Sequence, residues 1–189
     1  FSATMSQEVM TVSWMYQRDE VEITVPADEE NKPDIAQFSI IAPPLKEEVT
    51  KRLLDRFDGE RIIIFCNTKH MCQRLADDLA RLGIRAGCLH GDIRQKQREK
   101  TMDEFRHGQV QILIATDVAS RGIDVDDVGC VINYDIPEEN EYYIHRIGRT
   151  GRAKKAGAAY SILGTFRFDE AGELVEKEIR KPVPRRKYR

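Results

Sequence analysis

Short runs rich in apolar residues at regular intervals are the feature that most constrains the fold of this chain. One run occupies residues 61–66 (Arg-Ile-Ile-Ile-Phe-Cys), and others occupy residues 110–115, 130–134 and 158–163. Continuous apolar runs of this length are typical of strands buried on both faces. Segments with helical spacing lie between them. Strands that alternate with helices predict an α/β fold, in which a parallel β-sheet is flanked by helices on both faces.

The same patterns predict the remaining elements and the domain limits. The other predicted elements are strands at 35–42 and 86–89 and helices at 43–57, 68–82, 94–107, 138–147 and 168–180. They place one domain over residues 35–179. Residues 1–34 are predicted to hold a helix (2–17), a short strand (21–25) and a polar linker. The basic residues 180–189 are predicted to form a disordered tail.

Composition limits the classes of function that fit. The chain has 189 residues, 41% of them hydrophobic and 33% charged, which is ordinary for a soluble globular protein. Its net charge of −2 excludes a generally basic nucleic-acid coat, so any nucleic-acid surface must be a local patch. The four cysteines have no zinc-ligand spacing, and no apolar run approaches the ~20 residues that cross a membrane. We expect a reduced, cytoplasmic setting and, because the chain starts at Phe1, a fragment of a longer protein.

Polar residues follow three of the predicted strands at the point where each strand ends. They are Asn67-Thr68-Lys69, His90-Gly91-Asp92 and the run from Thr116 to Asp124. In open α/β sheets ligands bind at the carboxyl ends of the strands, so we expect these residues to lie together. Helix N-termini and backbone amides at such ends attract phosphates. Gln95 and Arg98 are three residues apart on a predicted helix and share a face that suits a phosphate or a sugar.

Each of these signals also has a purely structural interpretation. Asn67 or Thr68 can cap the helix that follows, and so can Asp117 or Ser120. Gln95 and Arg98 can belong to a solvated helix face. The residues alone leave these alternatives open.

The segment His145 to Arg152 concentrates three arginines, two glycines and a histidine at the end of the helix predicted over 138–147. Guanidinium groups present planar forks of donors that match phosphate oxygens and stay charged at physiological pH. We expect this segment to supply the cations of the edge described above. A basic turn that caps the C-terminus of a helix is the structural alternative, because cations are favoured there.

Together these motifs resemble the C-terminal RecA-like domain of a DEAD-box ATP-dependent RNA helicase of superfamily 2, of bacterial type. Residues 2–4 match the SAT motif that closes the first RecA-like domain, and residues 63–68 are similar to motif IV. Gln95 and Arg98 match the QxxR element. Residues 115–124 resemble motif V, and residues 145–152 match HRIGRTGR of motif VI at every position. The resemblance ends near Leu163, and residues 1–34 correspond to the end of the first domain and the interdomain linker.

The resemblance implies roles for individual residues. Arg149 and Arg152 correspond to the arginine fingers that reach the ATP γ-phosphate. The residues implied near the ATP or the domain interface are Gly122, Asp124, His145 and Gln95. Those implied to line the RNA backbone are Thr68, Gly91, Arg98, Thr116 and Arg121.

The chain contains neither a GxxxxGK[ST] loop nor an Asp-Glu-Ala-Asp motif. In the family these motifs belong to the N-terminal RecA-like domain, so ATP and Mg²⁺ are expected in the complete enzyme, with Mg²⁺ held by that partner domain. No metal site and no tightly bound cofactor are expected in this chain, and RNA is the other expected partner. The oligomeric state cannot be read from the sequence. Two alternatives are a non-catalytic RNA- or protein-binding module and a DNA helicase of the same superfamily.

Overall fold

Six strands form one parallel sheet in the order β1-β6-β5-β2-β4-β3. The strands are β1 (Ile35–Ile41), β2 (Arg61–Phe65), β3 (Ala86–Leu89), β4 (Ile112–Ala115), β5 (Val128–Asn133) and β6 (Gly157–Leu163). The helices are α1 (Lys46–Arg56), α2 (Lys69–Arg81), α3 (Gln95–Arg106), α4 (Asp117–Ser120) and α5 (Asn140–Ile147). The predicted strands and helices of residues 35–163 are confirmed to within a few residues at each end.

The structure is a computed structural model. It describes residues 11, 15–16, 34–41, 46–120, 125, 127–152, 155–163, 167–168 and 174–175. The chain divides into two compact units, Phe1–Lys32 and Pro33–Arg189. In the first unit the described residues Thr11, Met15 and Tyr16 are helical, as predicted for 2–17. The strand predicted at 21–25, the linker and the tail 180–189 lie outside the described residues.

The helix predicted over 168–180 is wrong at the residues described there. β7 (Arg167–Phe168) pairs antiparallel with β8 (Leu174–Val175), with Phe168 opposite Leu174. Gly172 lies in the middle of the predicted helix, where glycine costs about 1 kcal/mol relative to alanine. It also lies between Phe168 and the apolar pair Leu174-Val175, a pattern that favours a turn between strands.

The sheet is covered on both faces because successive side chains of a strand point to opposite sides. On one face Ile62 and Ile64 pack with Leu53 of α1 and Leu75 of α2. On the other face Ile63 packs with residues of α3, α4 and α5. The core side chains of this second face include Phe65, Leu113, Met102, Phe105, Ala119 and Ile147. The continuous apolar runs therefore reflect strands buried on both sides, as the sequence predicts.

The first strand of the sheet is held at its edge by aromatic packing. Among the described strands, β1 pairs in parallel with β6 alone, in a register that sets Ile35 opposite Gly157 and Phe38 opposite Tyr160. The rings of Phe38 and Tyr160 stack with centroids 4.8 Å apart, and Phe57 meets Tyr160 edge-on at 5.7 Å. Such aromatic pairs add about 0.5–1.5 kcal/mol beyond the area they bury.

No helix in the described part of the chain is long and apolar enough to cross a bilayer. The four cysteines form no disulfide, and Cys66, Cys72 and Cys130 are fully buried.

We predict that Gly157→Ala destabilises the domain. A Cβ at this position comes within 2.5 Å of the Gly151 amide nitrogen and 2.8 Å of Thr150 Cγ2, so the backbone would have to move. Overpacking of this kind costs about 1–3 kcal/mol. Urea unfolding measures the change. Gly91→Ala is the control, since nothing lies within 4 Å of its added Cβ, and its free energy of unfolding should stay within about 0.5 kcal/mol of the parent.

Candidate functional site

The polar residues predicted to gather at the carboxyl edge of the sheet do lie on neighbouring strands. Thr68 follows β2, Thr116 follows β4 and Gly91 follows β3, and these three strands are adjacent in the sheet. The loops are also linked directly. Lys69 Nζ donates to Asp92 Oδ2 at 2.7 Å.

The loop through Gly91 is shaped by the buried ring of His90. His90 Nδ1 accepts a hydrogen bond from the Asp92 amide at 3.3 Å. The Gly91 backbone itself is exposed and offers open space where a side chain would be. A ligand can therefore approach the main chain closely at this loop.

Thr68 and Thr116 both cap the helix that follows them. Thr68 Oγ1 accepts from the Met71 amide at 3.2 Å, and Thr116 Oγ1 accepts from the Ala119 amide at 3.4 Å. Of the cap alternatives, Thr68 is therefore the correct one for α2, and Thr116 takes the position that Asp117 or Ser120 could have held. A hydroxyl that accepts a cap bond retains an O–H donor, so capping is compatible with a phosphate or 2′-hydroxyl contact.

Gln95 and Arg98 differ in their surroundings although they share a face of α3. Gln95 is exposed and donates to Glu99 of the same helix at 2.8 Å, as on a solvated face. Arg98 is half-buried, and its Nη2 donates to the Ala119 carbonyl oxygen at 2.5 Å. Arg98 thus joins α3 to α4, the single turn of helix that follows Thr116.

The centre of the carboxyl edge is Arg146, whose side chain is 1% exposed. Its Nε and Nη2 donate to the two carboxylate oxygens of Asp117, each at 2.6 Å. Nη2 also donates to Asn67 Oδ1 at 2.8 Å. Nη1 donates to the Asp135 carbonyl oxygen at 2.6 Å and to Asn133 Oδ1 at 3.4 Å. Each of the five N–H donors of this guanidinium therefore has an acceptor.

These contacts compensate a charge that would otherwise be costly to bury. A buried cation is tolerated when a bidentate carboxylate and further acceptors surround it. The Arg146 guanidinium also lies 5.2 Å from the centre of the Phe65 ring. The ends of β2, β4 and β5 and the helix α5 are thereby joined through one side chain.

The sequence reasoning treated Arg146 only as part of a basic segment and missed its burial. It also assigned no role to Asn67 or Asp117 as partners of an arginine. A signal was present, because Tyr143, Arg146 and Ile147 are spaced by three and four residues and share one helix face. That face carries the apolar residues packed on the sheet, so an arginine on it needs buried partners.

A second hydrogen-bond network holds the side-chain carboxylate of Asp135. Lys46 Nζ donates to the Tyr134 carbonyl oxygen at 2.8 Å and to Asp135 Oδ1 at 3.1 Å. Asp135 Oδ2 accepts from the Asn67 amide at 3.2 Å. Burial raises the pKa of the Tyr134 hydroxyl to about 12, so it is protonated at neutral pH.

Thr150 is the second anchor of the 145–152 segment. It is 1% exposed and its Oγ1 donates to the Val128 carbonyl oxygen. Arg149 and Arg152, by contrast, are half-buried. Arg149 Nε donates to the His145 carbonyl oxygen at 3.2 Å, and Arg152 Nε donates to the Gly148 carbonyl oxygen at 3.1 Å. The segment thus has a fixed backbone with two arginines at least partly accessible.

The segment does not lie wholly at the carboxyl edge, which corrects our expectation that it supplies the cations of that edge. The segment runs from Arg146 at the end of α5, which bonds to residues after β2 and β4, to Thr150, which bonds to the start of β5. Gly151 and Arg152 line an open cavity of about 650 Å³ with residues at the starts of β2 and β5, such as Arg61 and Val128. The physical reason is that a helix connecting two parallel strands must return along the sheet.

Three of the predicted site residues, Arg121, Gly122 and Asp124, lie outside the described residues. His145 is described and is half-buried on α5. Within the described ranges, no three His, Cys, Asp or Glu side chains are grouped so as to hold a metal ion.

Three thiols of the domain, those of Cys66, Cys88 and Cys130, are unsuited to nucleophilic chemistry. A hydrogen bond with Cys72 and burial both raise the pKa of Cys66, the residue before Asn67. Burial raises the pKa of Cys88 and of Cys130 to about 12. A thiol that stays protonated at neutral pH is a poor nucleophile.

Comparison with known proteins identifies the family. The family model of the helicase conserved C-terminal domain matches residues 45–154, which include both Asn67 and the complete 145–152 segment. The chain belongs to this helicase family. Its relatives place this helicase domain among the DEAD-box RNA helicases, with a RecA-like fold.

Two curated relatives show the similarity. The chain is 41% identical over 159 residues to ATP-dependent RNA helicase DeaD of Buchnera aphidicola, an alignment that covers 84% of this chain and 26% of the relative. It is 40% identical over 165 residues to ATP-dependent RNA helicase RhlB of a Shewanella strain, covering 86% and 37% of the two chains. The helicase domain therefore spans about a quarter to two fifths of the length of these relatives.

A solved structure supports the same fold. Saccharomyces cerevisiae Dbp5 bound to RNA and ADP BeF3 matches with a TM-score of 0.75 and 32% identity. The match covers 87% of this chain and 44% of the Dbp5 chain.

We predict that Asp117→Ala strongly destabilises the helicase domain, because it leaves the buried Arg146 guanidinium without its carboxylate. Breaking a buried pair from one side costs about 3–5 kcal/mol. The free energy of unfolding in urea tests this. The matched control is Asp92→Ala, which removes an exposed carboxylate paired to Lys69 at 2.7 Å and should cause a far smaller loss. Equal losses in the two variants would show that the Arg146 cluster is not a special determinant of stability.

Proposed function

We propose that this helicase domain supplies the arginine fingers and half of the RNA-binding track of an ATP-dependent DEAD-box RNA helicase in the cytoplasm. The other half is an N-terminal RecA-like domain of the same protein. ATP and RNA then bind between the two domains, and ATP binding drives local unwinding of short RNA duplexes.

The observation that carries this proposal is the contrast within residues 145–152. Arg146 and Thr150 are 1% exposed and fix the backbone, whereas Arg149 and Arg152 remain half-buried. A cation on a fixed backbone, accessible from outside, is what transition-state stabilisation requires, because little reorganisation is then needed during reaction. In other phosphoryl-transfer enzymes an arginine finger increases the rate by about 10³–10⁵-fold.

The carboxyl edge supports the second part of the proposal. Thr68, Gly91 and Thr116 occupy adjacent loops of one edge of the sheet, and Arg98 of α3 bonds to α4, which follows Thr116. Hydroxyls, an arginine and an open glycine backbone suit phosphate and 2′-hydroxyl contacts that are independent of base sequence. We include Arg121 in this track, and Gly122, Asp124, His145 and Gln95 at the nucleotide or the domain interface, on the motifs alone.

The donor set of the chain fits ATP better than it fits Mg²⁺. Arg149 and Arg152 match phosphate oxygens, whereas a hard cation needs a group of oxygen ligands, and the described residues contain no such acidic group. We therefore assign Mg²⁺ to the N-terminal domain and assign no tightly bound cofactor to this chain.

The proposed cycle of domain closure and opening follows from the different affinities of ATP and RNA for the closed and open states. ATP and RNA each contact both domains only when the domains are closed, so each ligand favours closure by its greater affinity for that state. The edge residues of this domain hold the RNA backbone, while Arg149 and Arg152 complete the nucleotide site. Loss of the γ-phosphate removes the ligand of the two arginines and so weakens the closed state.

We predict that this chain by itself neither hydrolyses ATP nor unwinds RNA, because it lacks the phosphate-binding loop and the Asp-Glu-Ala-Asp motif. A phosphate-release assay with and without single-stranded RNA tests this. RNA-stimulated turnover by the purified chain would contradict the proposal.

In a protein where this chain follows its N-terminal RecA-like domain, we predict RNA-stimulated ATP hydrolysis that Arg149→Ala abolishes. RNA binding should stay within a few-fold of the parent, because Arg149 is assigned to the nucleotide and not to the RNA. The loss of turnover should be about 10³-fold or more. Steady-state ATPase rates and fluorescence anisotropy with labelled RNA measure the two effects.

Arg81→Ala is the control for this variant, since it removes an exposed arginine of α2 that pairs with Asp78 at 2.9 Å. Its turnover should match that of the parent. Persistent turnover in Arg149→Ala would refute the finger assignment. RNA binding without any ATPase activity in the parent two-domain protein would favour the non-catalytic binding module.

A further inference from the structure

The side chain of Arg146 bonds to residues that adjoin two of the loops assigned to RNA, and its backbone adjoins the arginines assigned to ATP. Asn67 directly precedes Thr68, and Asp117 directly follows Thr116. Arg146 itself lies three residues before Arg149 in the chain. A single guanidinium therefore connects the loops assigned to RNA with the helix that leads to the arginines assigned to ATP.

The geometry of these hydrogen bonds fixes the orientation of the two loops relative to α5 as well as their distance from it. The planar fork of Arg146 holds both oxygens of Asp117 at 2.6 Å, and its Nη2 also holds Asn67 Oδ1 at 2.8 Å. A bidentate arginine constrains direction, which a lysine ammonium cannot do. A shift of either loop then requires a shift of α5.

Stability alone does not explain a buried cation here. Well-packed hydrophobic residues often replace a buried ion pair at no cost in stability, or with a gain. The neighbours Tyr143 and Ile147 on the same helix face pack against the sheet as hydrophobes. An apolar side chain at 146 would thus continue that face but would leave Asn67 and Asp117 unconnected to α5.

We propose that Arg146 is a positioning residue that holds Arg149 and Arg152 in register with the RNA loops at Thr68 and Thr116. The proposal rests on the function proposed above for these residues. Arg146 contacts neither ligand, because it is 1% exposed and its donors are bonded within the domain. It transmits the position of the RNA loops to the nucleotide-facing arginines.

The first test uses this chain alone and does not depend on ATPase activity. Arg146→Lys keeps the charge but loses the fork. Hydrogen exchange is followed at three amides: Met71, bonded to Thr68 Oγ1; Ser120, bonded to the Thr116 carbonyl; and Arg149, bonded to the Arg146 carbonyl. We expect exchange at all three to accelerate together by about tenfold or more, as when charge-assisted hydrogen bonds are lost. Acceleration confined to Arg149 would overturn the proposal.

The second test uses the protein in which this chain follows its N-terminal RecA-like domain. Arg146→Lys should lower the RNA-stimulated kcat by about 10–100-fold, because small misplacements of a catalytic group have effects of this size. The ratio of the RNA-stimulated rate to the RNA-independent rate should also fall, because the variant disconnects the RNA loops from the two arginines. Asp117→Asn should give the same pattern, and the double variant should lose little more than either single variant, because both remove one contact.

Leu79→Ala is the control for general instability, since Leu79 packs on the opposite face of the sheet from α5. With assay temperatures set to give equal fractions folded, it should retain full stimulation by RNA. If Arg146→Lys also retains full stimulation, Arg146 is only structural and the proposal is wrong. If the parent protein itself lacks RNA-stimulated ATPase, the proposed function fails, while the hydrogen-exchange result still decides whether Arg146 links the three segments.

Discussion

The burial of one positive charge determines how the carboxyl edge of this domain is assembled. A guanidinium inside a sheet and helix interface requires acceptors on every side, and no single element can provide them. Asn67 after β2, Asp117 after β4 and Asp135 after β5 each supply part of the shell around Arg146. The loops that follow β2, β4 and β5 are therefore held in one arrangement relative to one another. This arrangement is a constraint on geometry more than a source of stability, because buried ion pairs contribute little net free energy.

α5 and the segment that follows it contact both edges of the sheet, the ends of its strands and the start of β5. Arg146, in the last turn of α5, bonds to residues at the strand ends, and the segment that follows α5 reaches the start of β5 through Thr150. The two anchors, four residues apart, lie on the buried side and leave Arg149 and Arg152 half-buried. A segment rich in arginine can thus be rigid and accessible together. A surface loop with the same composition would have to lose side-chain entropy before it could bind a phosphate.

Local sequence patterns determined the elements of the sheet but not the contacts between them. The Ile-Ile-Ile-Phe run at β2 is typical of a strand in the middle of a covered sheet, and β2 lies there between β4 and β5. Thr68 as a helix cap was also open to prediction, since its neighbours follow the cap pattern. Arg146 was not, because its partners are 11 to 79 residues away in the chain, and only the packed strands bring them together. The helix predicted over 168–180 is wrong because Gly172 interrupts that stretch. β7 and β8, which lie on either side of this glycine in the sequence, pair with each other instead.

The position of β1 has a consequence for the order in which this domain can fold. β1 is the first strand of the six-stranded sheet along the chain, yet in the described part of the chain its one strand partner is β6, the last of the six, with Ile35 opposite Gly157. This pairing closes a very long loop, and contacts of such sequence separation form slowly. During synthesis, Phe38 and Ile40 have no sheet to join until the ribosome has released the segment near Leu163. The apolar side of β1 is therefore the part of a nascent chain that most needs protection from association.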